Sequence, residues 1–202
     1  KFNASFILGG PDFTQGGKSW PVSVLATDGK SRSRMSFPVN VLDTIRPPEP
    51  QIVSSETVGA WRRLSVRQKT DAYLDSPGHA GRTFNAVVTT PLVTDGPGRL
   101  PVRVGLHGFF GFPSREGWEG EIRIFPHDPM NSYWWGYSER LPAGDASTGA
   151  VPPYTLRRVL HLVSWALRSF PIADPERVYV EGGSMGGAGA MLLGLTSARH
   201  FC

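Results

Sequence analysis

Apolar residues recur along the chain with two different periods. Between Tyr154 and Phe170, the residues Leu156, Val159, Leu160, Val163, Leu167 and Phe170 fall three or four apart, which predicts a helix with one apolar face. Elsewhere the apolar positions alternate or form short β-branched runs. Phe37, Val39 and Val41 alternate within Met35–Leu42, and Ser19–Thr27 precedes them as a second strand across a turn at Asp28-Gly29-Lys30. Trp61–Lys69, Thr83–Thr90, Glu121–Pro126 and Val178–Val180 have the same strand bias, and Leu100–Gly111 runs from a strand into a glycine-bearing loop. Turn residues at Ser76-Pro77-Gly78, Pro152-Pro153 and Asp174-Pro175 punctuate the pattern. After Ser184, Met185, Ala188, Ala190, Met191, Leu192, Leu193 and Leu195 suit a buried helix. Strand, loop, strand, helix, strand, turn, helix is the order of an α/β protein with a doubly wound parallel sheet.

The pattern divides at Thr44-Ile45-Arg46-Pro47-Pro48-Glu49-Pro50, a stiff, proline-rich segment. Three parts are expected: 1–44, a linker over 45–56, and the α/β domain over 57–202. The Ala-Thr-Asp-Gly turn and the strand ending Val39-Asn40-Val41-Leu42-Asp43 resemble the last hairpin of an immunoglobulin- or cadherin-like sandwich. Some forty residues fall short of the roughly one hundred such a domain needs, so a partial β-sandwich is expected. Asn3-Ala4-Ser5 also matches a glycosylation sequon.

Composition narrows the function. The chain has 202 residues, 40% of them hydrophobic, with 24 glycines and 18 prolines, enough apolar material for a core despite many turns. Net charge is +4 from 21 basic and 17 acidic residues, and the basic residues are dispersed rather than striped, which argues against nucleic acid. A single cysteine, Cys202, excludes an internal disulfide. No signal-like segment and no apolar run of membrane-spanning length occurs.

Candidate chemistry lies at Gly182-Gly183-Ser184-Met185-Gly186, which fits G-x-S-x-G between a strand and a helix. A chain reversing there within about four residues strains its central residue, and flanking glycines avoid Cβ clashes. Ser184 is the candidate nucleophile, at a helix N-terminus that favours developing negative charge. A dinucleotide loop fits poorly, because Ser184 takes the position of the middle glycine in G-x-G-x-x-G. A P-loop lacks its Lys-Ser or Lys-Thr pair. An acyl-transfer serine needs two oxyanion donors. Met185 N–H is one, and the loop His107-Gly108-Phe109 supplies the other, with Phe109 N–H the chosen donor. His107 marks that loop and reads otherwise as a satisfied, half-buried imidazole. Trp134 and Trp135, in Asn131-Ser-Tyr-Trp-Trp-Gly-Tyr137, are candidates for a substrate platform, against the alternative that they pack a long loop onto the sheet.

Leu106-His-Gly-Phe-Phe-Gly111 and Asp174-Pro-Glu-Arg-Val-Tyr-Val-Glu-Gly-Gly-Ser-Met-Gly-Gly187 together resemble the α/β-hydrolase superfamily. The likeness is greatest to secreted feruloyl esterases, acetylxylan esterases and polyhydroxybutyrate depolymerases, and spans Thr83 to Cys202. It implies the α/β-hydrolase fold, Ser184 as nucleophile, Met185 and the loop after Leu106 as oxyanion donors, Gly182 and Gly186 as elbow glycines, and an extracellular or periplasmic setting. It implies no metal or organic cofactor, and a small-molecule or polymer ester as partner. Phe109 and Phe110 stand where relatives often carry glycines or small residues. Glu181 puts a charge at a strand end, which requires a partner or solvent.

In that superfamily the acid and histidine follow the serine. Downstream of Ser184 there is no Asp or Glu, and the one histidine, His200, lies about 24 Å along a helix of ~1.5 Å per residue. His79, His127, His161, Asp128 and Asp145 precede the serine, and His161 reads as a helix-surface or packing residue. The expectation is a C-terminally truncated hydrolase domain, inactive by itself, from a serine esterase. A prolyl-oligopeptidase-like serine peptidase and a non-catalytic extracellular binding module are the alternatives.

Overall fold

The structure, a computed structural model, describes residues 19–27, 32–40, 47–92 and 98–202. The chain divides into two units, Lys1–Arg46 and Pro47–Cys202. Within the first, β1 (Ser19–Thr27) and β2 (Arg32–Asn40) pair antiparallel in unbroken register, Ser19 opposite Asn40 and Thr27 opposite Arg32. The second strand begins three residues earlier than its alternation predicts. The Asp28–Lys30 turn and the Asn3 sequon lie outside the described residues.

The second unit is built on one sheet. Its strands are β3 (Gln51–Val58), β4 (Trp61–Lys69), β5 (Thr83–Pro91), β6 (Leu100–Leu106), β7 (Ile122–Pro126) and β8 (Ala173–Gly182), in the order β3-β4-β5-β7-β6-β8. Two helices accompany them, α1 (Tyr154–Ser169) and α2 (Met185–Thr196). The sheet is mixed rather than wholly parallel. β3, β4, β5 and β7 pair antiparallel, while β7, β6 and β8 run parallel. The reason lies in the connections: β3 and β4 are joined by Gly59 and Ala60 alone, with Gly59 at φ +57, and a two-residue link can only reverse the chain. β3 also starts inside the span expected as linker. Its residues are exposed on both faces along nearly its whole length, so no burial pattern announces it, and pairing with β4 makes the strand.

Alternation along the remaining strands sorts the two faces. Leu64, Val66, Ala86, Val88, Val102, Val104, Ile122, Ile124 and Val178 point to one side. There they join Leu156, Val159, Leu162, Val163 and Ala166 of α1 and Met185 and Leu193 of α2 in a single apolar core. α1 is buried over a wider arc than its predicted stripe, and includes Arg158 and His161. The Arg158 guanidinium lies 3.4 Å from the Phe84 ring centroid, and His161 Nε2–H donates to Pro48 O at 3.0 Å. His161 is therefore a packing residue.

The opposite face is not wound by helices among the described residues. The β6–β7 connection, rich in glycine and aromatic residues, contains no helix. The strands beneath carry charge instead. Arg103 of β6 donates to Glu121 at 2.9 Å and to Glu181 of β8 at 3.1 Å, and Arg123 of β7 donates to Glu121 and sits 3.9 Å from Glu181. Arg103 and Arg123 further lie over the Tyr179 and Trp118 rings. A face that alternates positive and negative groups across three strands has little apolar area for a helix to cover. It also supplies the partner that Glu181 requires.

Candidate active site

β8 and α2 are joined by Gly183 and Ser184 alone. Ser184 has φ +55 and ψ −123, outside every region that a residue with a Cβ favours. Such a conformation costs about 1–3 kcal/mol and persists only where its surroundings over-determine it. Here they do. A Cβ on Gly186 would come 2.1 Å from Leu106 O, and one on Gly182 would come 2.5 Å from Gly186, so both glycines are required by close approach. Gly186 N–H donates to Gly183 O at 2.9 Å and Ala188 N–H to Ser184 O at 3.1 Å, closing the turn into the helix. Ser184 is exposed, while Met185 beside it is buried. As the first residue of α2, Met185 presents an N–H that the helix itself cannot satisfy.

The loop after β6 meets this turn. A Cβ on Gly108 would lie 3.8 Å from Ser184 Cβ. Gly108 O accepts two hydrogen bonds, from His107 Nδ1–H at 2.7 Å and from Gly111 N–H at 3.0 Å. Because C=O and N–H point oppositely across a trans peptide, Phe109 N–H is directed away from both donors. Among the described residues nothing accepts from it, whereas Phe110 N–H donates to Asn131 Oδ1 at 2.8 Å. His107 Nε2 accepts from Asp128 N–H at 3.0 Å, which assigns the imidazole as the neutral Nδ1–H tautomer. With both ring nitrogens engaged by backbone, His107 holds the loop and has no lone pair left for a base.

A second loop, between β7 and α1, supports the first. Asp128, fully buried, accepts from Ser132 N–H at 2.7 Å and Ser132 Oγ at 3.0 Å, and Ser132 in turn bonds Thr155 of α1 at 2.7 Å. Trp134 does not form a substrate platform. It is 0% exposed, donates from its indole N–H to His107 O at 3.2 Å, and packs on Gly189 of α2, where a Cβ would come 2.4 Å from its ring. Trp135 is half-buried against the core and donates to Val151 O at 3.1 Å. Tyr137 is buried too, its hydroxyl donating to Asp75, and burial pushes its phenol well above the usual range. Two indoles adjacent in sequence point apart, and a loop of this length needs such anchors to stay on the sheet. Of the rings on these two loops, Phe109 and Phe110 face outward, 51% and 75% exposed with centroids 4.3 Å apart, exposed Tyr133 lies 6.4 Å from Phe109, and exposed Phe112 lines the cleft beside Gly182.

A cleft of about 460 Å³ opens on the charged side of the sheet, lined by His107, Phe112, Arg123, Phe125, Glu181 and Gly182 among others. No histidine among the described residues hydrogen-bonds Ser184 Oγ. His200 lies beyond the far end of α2, a helix about 18 Å long at ~1.5 Å per residue. His79 sits 3.9 Å from Asp75, and His127 stacks on Phe112 and lies 5.3 Å from the His107 ring. Burial depresses the pKa of His79, His127 and His161, with a neighbouring positive group adding to this at each. Asp145 is exposed and takes up Ser147. Among the described residues no group of three or more His, Cys, Asp or Glu side chains converges to hold a metal. Asn131 was not legible as a site residue, and Asp128, weighed on the sequence as an acid, braces a loop through Ser132 instead. Asn131 tolerates φ +50 better than most residues, but nothing in its sequence neighbourhood says that its amide meets a loop 21 residues away.

The mixed sheet, the crossover into β8 and the strained serine between β8 and α2 define an α/β-hydrolase fold over part of its extent. Solved structures carry the same fold: S-formylglutathione hydrolase from Agrobacterium tumefaciens is 18% identical with TM-score 0.53, the match covering 74% of this chain and 58% of that one. A glucuronoyl esterase from Solibacter usitatus is 17% identical with TM-score 0.50, the match covering 77% of this chain and 51% of that one. The chain thus spans between half and three-fifths of these neighbours' length. No family model and no curated protein matches the sequence.

Proposed function

We propose that this chain carries the nucleophile and oxyanion half of a serine esterase that hydrolyses a carboxylic ester through an acyl-enzyme. The observation that carries this reading is the backbone of Ser184, held at φ +55 and ψ −123 where a parallel strand enters a helix. Ser184 Oγ attacks the ester carbonyl and its proton passes to a base. The oxyanion accepts from Met185 and Phe109 N–H groups, then collapses to expel the alcohol. Water attacks the acyl-enzyme, releasing the acid and restoring the serine. Two of the solved structures sharing the fold are named as a hydrolase and an esterase, which supports the reading.

The substrate we favour is a polysaccharide-linked ester or a polyester. Exposed Phe109 and Phe110 beside the elbow offer apolar surface for part of such a chain. An extracellular or periplasmic setting goes with that substrate, and β1 and β2 support a partial immunoglobulin-like sandwich ahead of the hydrolase domain. No helix among the described residues is long and apolar enough to cross a membrane. Because no histidine among the described residues hydrogen-bonds Ser184 Oγ, the 202 residues alone are expected to hydrolyse esters weakly. The test is a fluorophosphonate probe with a p-nitrophenyl acetate assay on the full-length protein. Labelling at Ser184 and turnover, both lost in Ser184→Ala, are expected; turnover that survives Ser184→Ala sinks the reading.

A further inference from the structure

We infer that Asn131 is a positioning residue for the oxyanion site, acting through the backbone of Phe109 and Phe110. The inference rests on Ser184 and Phe109 N–H having the roles proposed above. The Phe109 donor sits between two peptide groups. The one before it is fixed from inside the loop, where Gly108 O accepts from His107 and Gly111. The one after it is fixed only from outside, where Phe110 N–H donates to Asn131 Oδ1 at 2.8 Å. Both groups must be held for the φ and ψ of Phe109, and hence the direction of its N–H, to be set. Phe110 stands at φ +54, a conformation that a phenylalanine leaves unless something opposes it.

Asn131 is itself braced. Its N–H donates to Asp128 O at 3.2 Å, and Asp128 is buried and tied through Ser132 to Thr155 on α1. It stands at φ +50, and Tyr133 and Trp134 follow at φ +54 and +64, so left-handed backbone at non-glycine residues concentrates in the two loops that meet at this hydrogen bond. A chain of contacts thus runs from the core, through α1 and the β7–α1 loop, to the peptide next to the donor. Asn131 touches no reacting atom. What it decides is where Phe109 N–H points when negative charge develops on the carbonyl oxygen.

Two variants and two readouts test this. Asn131→Gly suits φ +50 and removes the acceptor, whereas Asn131→Asp keeps an acceptor and tolerates the same backbone. In the full-length protein with p-nitrophenyl acetate, Asn131→Gly is expected to lower kcat about 10–100-fold with KM within about twofold, the signature of misaimed transition-state binding. Asn131→Asp is expected to recover most of that loss. In the 202-residue chain, the Phe110 amide is expected to exchange with solvent at least about tenfold faster in Asn131→Gly and at the parental rate in Asn131→Asp. An unchanged kcat in Asn131→Gly, an effect confined to KM, or equal Phe110 exchange in all three proteins overturns the inference while leaving the Ser184 reading intact. Turnover surviving Ser184→Ala removes both.

Discussion

Ser184 and Trp134 show how far a residue's type specifies its role. The serine's strain, its flanking glycines and its place between strand and helix are local properties, and all follow from eight consecutive residues. Trp134 depends on what lies opposite. Its ring fills the space that Gly189 leaves on α2, and its N–H is spent on His107 O, so an indole in a loop became the largest fully buried side chain among the described residues. Trp134→Ala is expected to cost about 3–5 kcal/mol, the range for removing a buried aromatic, read as a lower urea midpoint. It also frees the His107 carbonyl, so the loop bearing Phe109 loosens with the core. A loss below about 1 kcal/mol would mean that the ring is not the anchor its burial indicates.

Among elements, the sheet divides into an apolar face that two helices cover and a charged one that none of the described helices covers. The helix Tyr154–Ser169 was legible because six apolar residues recur at its period, and β4 to β7 because their apolar residues alternate or run together. β3 was not, since both its faces meet solvent and only its ladder to β4 makes it a strand. The parallel sheet expected from element order became a mixed one because hairpin-length links force reversal. On the charged face, Glu121 bridges Arg103 and Arg123 with a side chain 11% exposed. Removing this carboxylate leaves the half-exposed Glu181, 3.1 Å from Arg103 and 3.9 Å from Arg123, to face both cations. Glu121→Gln is expected to cost about 1–3 kcal/mol, less than the ~3–5 of a fully buried pair because Arg103 retains water. Thermal unfolding of the variant, compared at low and moderate salt, measures it. No change in Tm would assign the ring of charges to the surface.

At the scale of the whole molecule, three histidines at separate places, His161 buried and His79 and His127 half-buried, give stability a common dependence on pH. His79, His127 and His161 all have depressed pKa values, burial being the first cause at each. The unfolded chain takes up these protons near pH ~6.5, and the folded one only at lower pH. Between those limits the unfolded state binds more protons, so stability rises with pH, is fully present above about 6.5 and is lost as pH falls through the folded values. Tm is therefore expected to fall between pH 7.5 and pH 5.5, with the three imidazole C2–H resonances titrating below the usual histidine range. A Tm that holds or rises on acidification contradicts this. The same histidines illustrate why none serves Ser184. Each is engaged by its own neighbourhood: Asp75, the rings of Phe112 and His107, or Pro48.

What the sequence by itself determined was local: the strands and helices whose periodicity closes within a dozen residues, and a serine whose flanking glycines admit one sharp turn. Tertiary structure decided everything that depends on which side chain meets which backbone across a gap in the chain. It turned Trp134 inward, gave Glu181 its two arginines, used both nitrogens of His107, and brought Asn131 to the amide beside Phe109. The physical reason is range. Backbone sterics and side-chain periodicity act within a few residues, whereas burial and hydrogen-bond partnership are settled only when distant loops arrive at the same end of one sheet.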